Sequence, residues 1–252
     1  MRLHPLCRLG TADRVTVLNI VAGFGAILTV PLSMVAENPL ARAFGYPLGL
    51  ELTARLILLG AIADGLDGVL ARRGSGSGSA VGALMDSIAD VISFGVAPAL
   101  FVFGVTWVEW IETGSGTEPT LHFVGAVLIT SVFVVSSVLR TAVYTVTDAA
   151  ESFRGGVPNT LAATILAVAY LAGFDSAVLL LAVMGVLAYL MVIQTPYPGL
   201  RARDAFGAGT VQAIVVIAPE GLQLWFARLL LLAALAYLVL GPVSYRSRGI
   251  TK

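Results

Sequence analysis

Four aspartates are spaced for joint chemistry: Asp64 and Asp67 lie three residues apart, and Asp86 and Asp90 four apart. On a helix, residues three and four apart share a face, so each pair presents two carboxylates in one direction. If the two helices are adjacent and antiparallel, all four carboxylates converge on one point. Such a cluster repels itself until protons or cations intervene, and an all-oxygen donor set suits a hard divalent ion such as Mg²⁺ or Mn²⁺. Asp64, Asp67, Asp86 and Asp90 are therefore the candidate metal ligands. Gly65 and Gly68 leave bare backbone beside the acids, which permits close approach of a bulky phosphate. Arg72, one turn beyond Gly68, carries a guanidinium that can fork onto phosphate oxygens.

The elements that must position these acids follow from composition. The 252 residues are 58% hydrophobic and 12% charged, with a mean hydropathy of +0.92, against about 45–50% apolar and about 25% charged in soluble proteins. The expectation is an integral membrane protein. A helix needs about 20 apolar residues to cross a hydrocarbon core of about 30 Å. Suitable runs lie near 15–35, 49–71, 82–105, 121–146, 157–174 and 177–195, and two more, near 208–218 and 222–242, flank the turn Pro219–Glu220–Gly221. The reading is an all-α, polytopic bundle of about eight transmembrane helices, with no cleavable signal peptide. It forms a single integral membrane domain over 1–252, with a catalytic core at about 14–203 and two additional C-terminal helices at about 208–242. An ionised group at mid-membrane costs at least about 2.5–3.5 kcal/mol, so acids inside such runs point to function.

Other function classes drop out. A formal net charge of +0 supplies no basic stripe for nucleic acid. One cysteine, Cys7, closes no intramolecular bridge, and His4 with His122 is too little for a histidine-built metal site. Arg2, Arg8, Arg14, Arg72, Arg73, Arg154, Arg201, Arg203, Arg246, Arg248 and Lys252 flank the even-numbered connections and the termini. By the positive-inside rule, both termini and the acid cluster face the cytoplasm, in the cell membrane.

A second tier of residues lies around the acids. Arg140, in the inner half of the fourth span, has an insertion cost that an acid, a phosphate or snorkelling would offset. Asn19 faces the site or bonds a neighbouring helix. Arg55 and Arg228, nearer the outer ends, read as snorkelling cations. Gly23, Gly25, Gly82 and Ala83 permit close helix contact, with a ligand role favoured only at Gly82. Trp107, Trp110 and Trp225 fit an outer aromatic belt. Gly74 to Ser79 and Thr113 to Pro119 read as linkers.

The run Asp64-Gly65-Leu66-Asp67-Gly68-Val69-Leu70-Ala71-Arg72, followed by Gly82-Ala83-Leu84-Met85-Asp86-Ser87-Ile88-Ala89-Asp90, resembles the complete motif of the CDP-alcohol phosphatidyltransferases. That pattern reads Asp-x-x-Asp-Gly-x-x-Ala-Arg, then Gly-x-x-x-Asp-x-x-x-Asp, and every fixed position is filled. The resemblance implies a membrane enzyme, normally a homodimer, that displaces CMP from a CDP-linked lipid with an alcohol at a Mg²⁺ or Mn²⁺ site. It also implies roles: Asp64, Asp67 and Asp86 as metal ligands, Asp90 as general base, and Gly68, Ala71, Arg72 and Gly82 in the nucleotide site. Asp64, Arg140 and Asn19 join them as candidate CDP-lipid contacts.

Met85 through Ala99 is similar to the phosphatidylserine synthase branch, as are Phe153 through Pro158 and the Tyr197–Pro198 turn. That likeness implies L-serine as acceptor, with CDP-archaeol or CDP-diacylglycerol as donor and archaetidylserine or phosphatidylserine as product. One departure stands out: the branch has Arg-Leu-Ala-Arg-Phe-Asn where this chain reads Arg140-Thr141-Ala142-Val143-Tyr144-Thr145. The second arginine is absent. Glycerol 3-phosphate or inositol phosphate remains the competing acceptor. A cation transporter also gathers acids, but near the bilayer midplane and between broken helices.

Overall fold

The computed structural model describes residues 11–34, 49–73, 80–112, 119–147, 155–193, 195 and 202–249. The side chains of 11–13, 68–73, 80, 111–112, 119, 147, 202–205, 220 and 243–249 lie outside that description, as do the sequence features at Arg154, Arg201 and Tyr197–Pro198.

The described residues form helices and no strands. In chain order these are α1 (Thr11–Ser33), α2 (Leu50–Arg73), α3 (Ala80–Asp90), a π-helical stretch (Val91–Val96), α4 (Ala97–Thr106), a second π-helical stretch (Trp107–Glu112), α5 (Pro119–Thr147), α6 (Asn159–Leu171), α7 (Ala177–Val192), α8 (Ala202–Ile217) and α9 (Glu220–Gly249). With α3 through Glu112 running as one rod, helices occupy all eight segments expected from hydropathy. By length and composition, four are long and apolar enough to cross a membrane: Arg14–Ser33, Val81–Trp110, Thr120–Val146 and Gly221–Pro242. Asn159–Leu171, Ala177–Val192 and Phe206–Ile217 are shorter apolar helices. α2 has the length, 24 residues, but carries Glu51, Arg55, Asp64, Asp67, Arg72 and Arg73. Together with the family shown below, these helices make the chain an integral membrane protein.

The helix faces are sorted in the manner of a membrane protein, with bulk outside and small or polar residues inside. On α1, Leu18, Val21, Phe24 and Leu28 are exposed, while Asn19, Ala22, Ala26 and Val30 are buried against neighbours. Gly23 lets the rod approach: a Cβ there would stand 2.7 Å from the Ser93 Cα, and Ser93 Oγ donates to the Asn19 carbonyl at 3.0 Å. α6 is buried almost all round, by Ala162, Ala163, Ile165, Leu166, Ala167 and Val168. It is the central post of the bundle. At about 1.5 Å per residue its 13 residues span only about 20 Å.

Side-chain pairs fix the register. Thr16 meets Asp67 and Thr29 meets Thr53, so α1 and α2 run antiparallel. Ser87 meets Thr145 and Trp110 meets His122, so the rod runs antiparallel to α5. One end of the bundle thus collects the start of α1, the end of α2, the start of α3, the end of α5 and the start of α6. The opposite end holds Glu109 Oε2, which accepts from the Ala177 amide at 2.7 Å and caps α7.

That opposite end corrects the snorkelling expectation for Arg55. Arg55 turns inward, donating to Glu51, the Val216 carbonyl at 3.0 Å and Gln223 Oε1 at 2.9 Å. Arg228 donates to the Ala172 carbonyl at 3.2 Å. Both carbonyls lie at helix C-termini, whose unpaired oxygens and negative dipole ends offer a cation more than the interface does. Trp110 packs against His122 with tilted rings, their centroids 4.5 Å apart, and Trp225 is exposed.

Candidate active site

The last three turns of α2 and the end of α3 bring the acids to the shared end. Asp64, Asp86 and Asp90 each offer a carboxylate oxygen, and the three lie within 4.8 Å of one another. Two ligands on opposite sides of Mg²⁺, at about 2.1 Å each, stand about 4.2 Å apart. The triad therefore has the donor chemistry and the spread for a hard divalent ion.

Asp67, the fourth acid of the expected cluster, stands outside those mutual distances. It is offset around α2 from Asp64 and faces α1, where Thr16 Oγ1 donates to its Oδ2 at 2.8 Å. The convergence expected of four carboxylates is realised by three, with Asp67 beside them within electrostatic range of Asp86. Asp64 is likewise held, by Thr160 Oγ1 of α6 donating to Oδ2 at 3.0 Å. Sequence reading singled out neither threonine, since one hydroxyl in an apolar helix carries no signal until its partner is known.

Arg140 of α5 lies within electrostatic range of Asp90. Its guanidinium packs over the Tyr144 ring, 4.4 Å from the centroid, so it turns into the protein and does not snorkel. Tyr144 in turn donates to the Gly155 carbonyl at 3.2 Å.

Asn19 is fully buried, and its Oδ1 borders Gly60, one turn of α2 below Asp64. Gly82 sits one turn before Asp86, half-buried. Gly68, Ala71 and Arg72 lie on the last turns of α2, with side chains outside the described residues.

Buried polar atoms are nearly always paired, so those left over require a partner of another kind. Among the described residues, Asn19 Nδ2 and Oδ1, Asp67 Oδ1, Asp90 Oδ1 and Arg140 Nε are buried without a hydrogen-bond partner. Of these, Asp67, Asp90 and Arg140 gather about the acid cluster, and Ser137 Oγ of α5, Asn159 Oδ1 of α6 and Gln223 Nε2 of α9 are likewise buried without a partner.

Directly after Asp90 the rod winds as a π-helix over Val91–Val96. π-helical turns are rare and concentrate at functional sites, because the wider turn reorients the residues around it. Within this stretch Ser93, three residues beyond Asp90, lies against Gly23 of α1.

The sequence pattern of the CDP-alcohol phosphatidyltransferases matches residues 10–195. The chain belongs to the CDP-alcohol phosphatidyltransferase family. All four acids, Thr16, Arg140 and Thr160 lie inside the matched span, and α8 and α9 lie beyond it. The chain is similar to the archaetidylserine synthase of Methanothermobacter thermautotrophicus, 30% identical over 62% of this chain and 60% of that protein. It is also similar to two proteins named CDP-diacylglycerol–serine O-phosphatidyltransferase. The one from Methanocaldococcus jannaschii is 40% identical over 36% of this chain and 34% of its own length. The one from Saccharomyces cerevisiae is 32% identical over 64% of this chain and 54% of its own length. The matches thus span less than two thirds of each of these relatives.

Proposed function

We propose that this protein transfers the phosphatidyl or archaetidyl group of a CDP-lipid to the hydroxyl of L-serine, releasing CMP. The observation that carries the reading is the triad of Asp64, Asp86 and Asp90, all within 4.8 Å, in a chain whose family matches over 10–195. The serine acceptor is supported by the names of the three relatives and by the run from Met85 through Ala99.

The residues divide the work. Asp64 and Asp86 of the triad, with Asp90 closing it and Asp67 beside them, would hold Mg²⁺ or Mn²⁺, which when bound would neutralise the pyrophosphate of the donor. Gly68, Ala71, Arg72 and Gly82 cradle the nucleotide, and Asn19 offers its amide from the α1 side. Arg140 supplies a cation beside Asp90 for the donor's lipid-side phosphate. Asp90 is the general base, and its partnerless Oδ1 is free to take a proton. The acceptor oxygen bonds to the lipid-linked phosphorus, the bond from that phosphorus to the CMP oxygen breaks, and the hydroxyl proton passes to Asp90. CMP leaves as the phosphate monoester.

The cluster lies at one end of the helices, where a lipid and a water-soluble alcohol can meet. This placement favours transfer over cation transport, which needs acids at the midplane. The reading includes both termini and the site on the cytoplasmic side of the cell membrane, a homodimer, and one catalytic domain over about 14–203 carrying the two further helices.

The direct test is CMP release by purified protein supplied with CDP-lipid, Mg²⁺ or Mn²⁺ and a panel of alcohols. The reading expects the highest kcat/KM with serine. A higher value with glycerol 3-phosphate or inositol phosphate would move the acceptor and leave the reaction class intact.

A further inference from the structure

We propose that Thr160 is the positioning residue that turns the Asp64 carboxylate into the triad. This inference rests on the reading of that triad as a metal site. Thr160 Oγ1 donates to Asp64 Oδ2 at 3.0 Å across a sequence separation of 96 residues. A hydroxyl fixes the plane of a carboxylate without neutralising it, which a lysine or arginine would do. Asp64 thereby keeps its charge for a cation, and its rotamer is set from outside its own helix. Partners that orient metal-ligating carboxylates usually change metal affinity about 10–100-fold when removed.

Thr160 is itself held at a defined height by the turn that precedes it. Gly156 has φ +85°, a conformation that L side chains rarely adopt, and a Cβ there would run into the Met191 backbone. Its amide donates to the Thr195 carbonyl at 2.9 Å, and the Val157 amide donates to Leu190 at 2.9 Å. Asn159 then anchors the start of α6 to α5, through Nδ2 donating to Thr141 Oγ1 at 2.8 Å. Three hydrogen bonds from Gly156 to Asn159 thus tie this stretch to α5 and to the end of α7 and lead to one hydroxyl, and that hydroxyl is spent on Asp64. A threonine kept only for packing would not need its donor aimed at the charged group of another helix.

The test is Mn²⁺ binding to purified protein in detergent without substrate, read as free Mn²⁺ by electron paramagnetic resonance. Thr160→Val keeps the shape and deletes the donor, and should raise Kd by about 10–100-fold. Thr160→Ser keeps the donor and should bind close to wild type. Should the valine variant fail to fold, Thr160→Ala gives the same comparison without added apolar bulk. Wild-type Kd in the donorless variant, or a serine variant as weak as valine, would overturn the positioning role. Asp86→Asn runs alongside: if it loses Mn²⁺ while Thr160→Val does not, the positioning role alone is wrong. If Asp86→Asn binds Mn²⁺ as wild type does, the metal-site reading falls and the Thr160 inference falls with it.

Discussion

Thr16 and Asp67, 51 residues apart in the chain, are joined by a 2.8 Å hydrogen bond from the threonine hydroxyl to Oδ2. The bond ties the first turns of α1 to the last turns of α2 and gives Asp67 a surrounding different from that of Asp64, three residues earlier. Thr16 is buried, so removing its hydroxyl strands a carboxylate oxygen. Thr16→Val should destabilise the protein by about 1–3 kcal/mol, and Thr16→Ser by much less. Thermal melting in detergent measures both, and an unchanged Tm in the valine variant would contradict the role.

The triad makes Asp64 and Asp86 equally necessary. Asp64→Asn and Asp86→Asn should each abolish turnover while the protein still inserts and purifies as wild type does. The check is CMP release at saturating Mg²⁺ or Mn²⁺. Wild-type-like release from either variant would remove that residue from the site.

Asp90 is separable from its neighbour one turn earlier. Loss of a general base typically costs about 10²–10⁴-fold in rate, so Asp90→Asn should lose turnover on that scale and keep metal and CDP-lipid binding. Ser87→Ala is the local control, because Ser87 Oγ meets the Ala83 carbonyl and Thr145 Oγ1, away from the acids. If Asp90→Asn loses Mn²⁺ as completely as Asp86→Asn, Asp90 is primarily a ligand.

Two glycines on α1 should behave differently. A Cβ at Gly23 would press on the Ser93 backbone, whereas a Cβ at Gly25 would meet Leu56 Cδ1 at an ordinary 3.5 Å. Gly23→Ala should therefore cost about 1–3 kcal/mol by overpacking. It should also lower activity, since Ser93 lies three residues from Asp90. Gly25→Ala should be nearly neutral. Equal Tm shifts in the two variants would contradict the close approach of α1 to the π-helical turn.

What the sequence discloses depends on how far apart the interacting residues lie. The helices were legible because a hydrocarbon core demands length and apolarity from each segment by itself, and the acid spacing was legible because i, i+3 and i, i+4 are local rules. The exclusion of Asp67 from the triad was not, since it depends on which neighbour each face of α2 meets. Thr160 and Thr16 were silent for the same reason. The π-helical turn after Asp90 has no local mark, because tertiary packing of Ser93 on Gly23 accompanies it. Arg55 misled because an arginine near a span end reads as snorkelling until the Val216 carbonyl is seen beside it.

The central claim is that the Asp64, Asp86 and Asp90 triad carries out transfer from a CDP-lipid to an alcohol. The most direct measurement is metal-dependent CMP release by the purified protein with CDP-archaeol or CDP-diacylglycerol and serine, beside Asp86→Asn prepared identically. The account predicts serine-dependent release by the wild type, stopped by EDTA, restored by Mg²⁺ or Mn²⁺, and absent from the variant. Release that is equal in the two proteins, or absent from the wild type with serine, glycerol 3-phosphate and inositol phosphate alike, would contradict it.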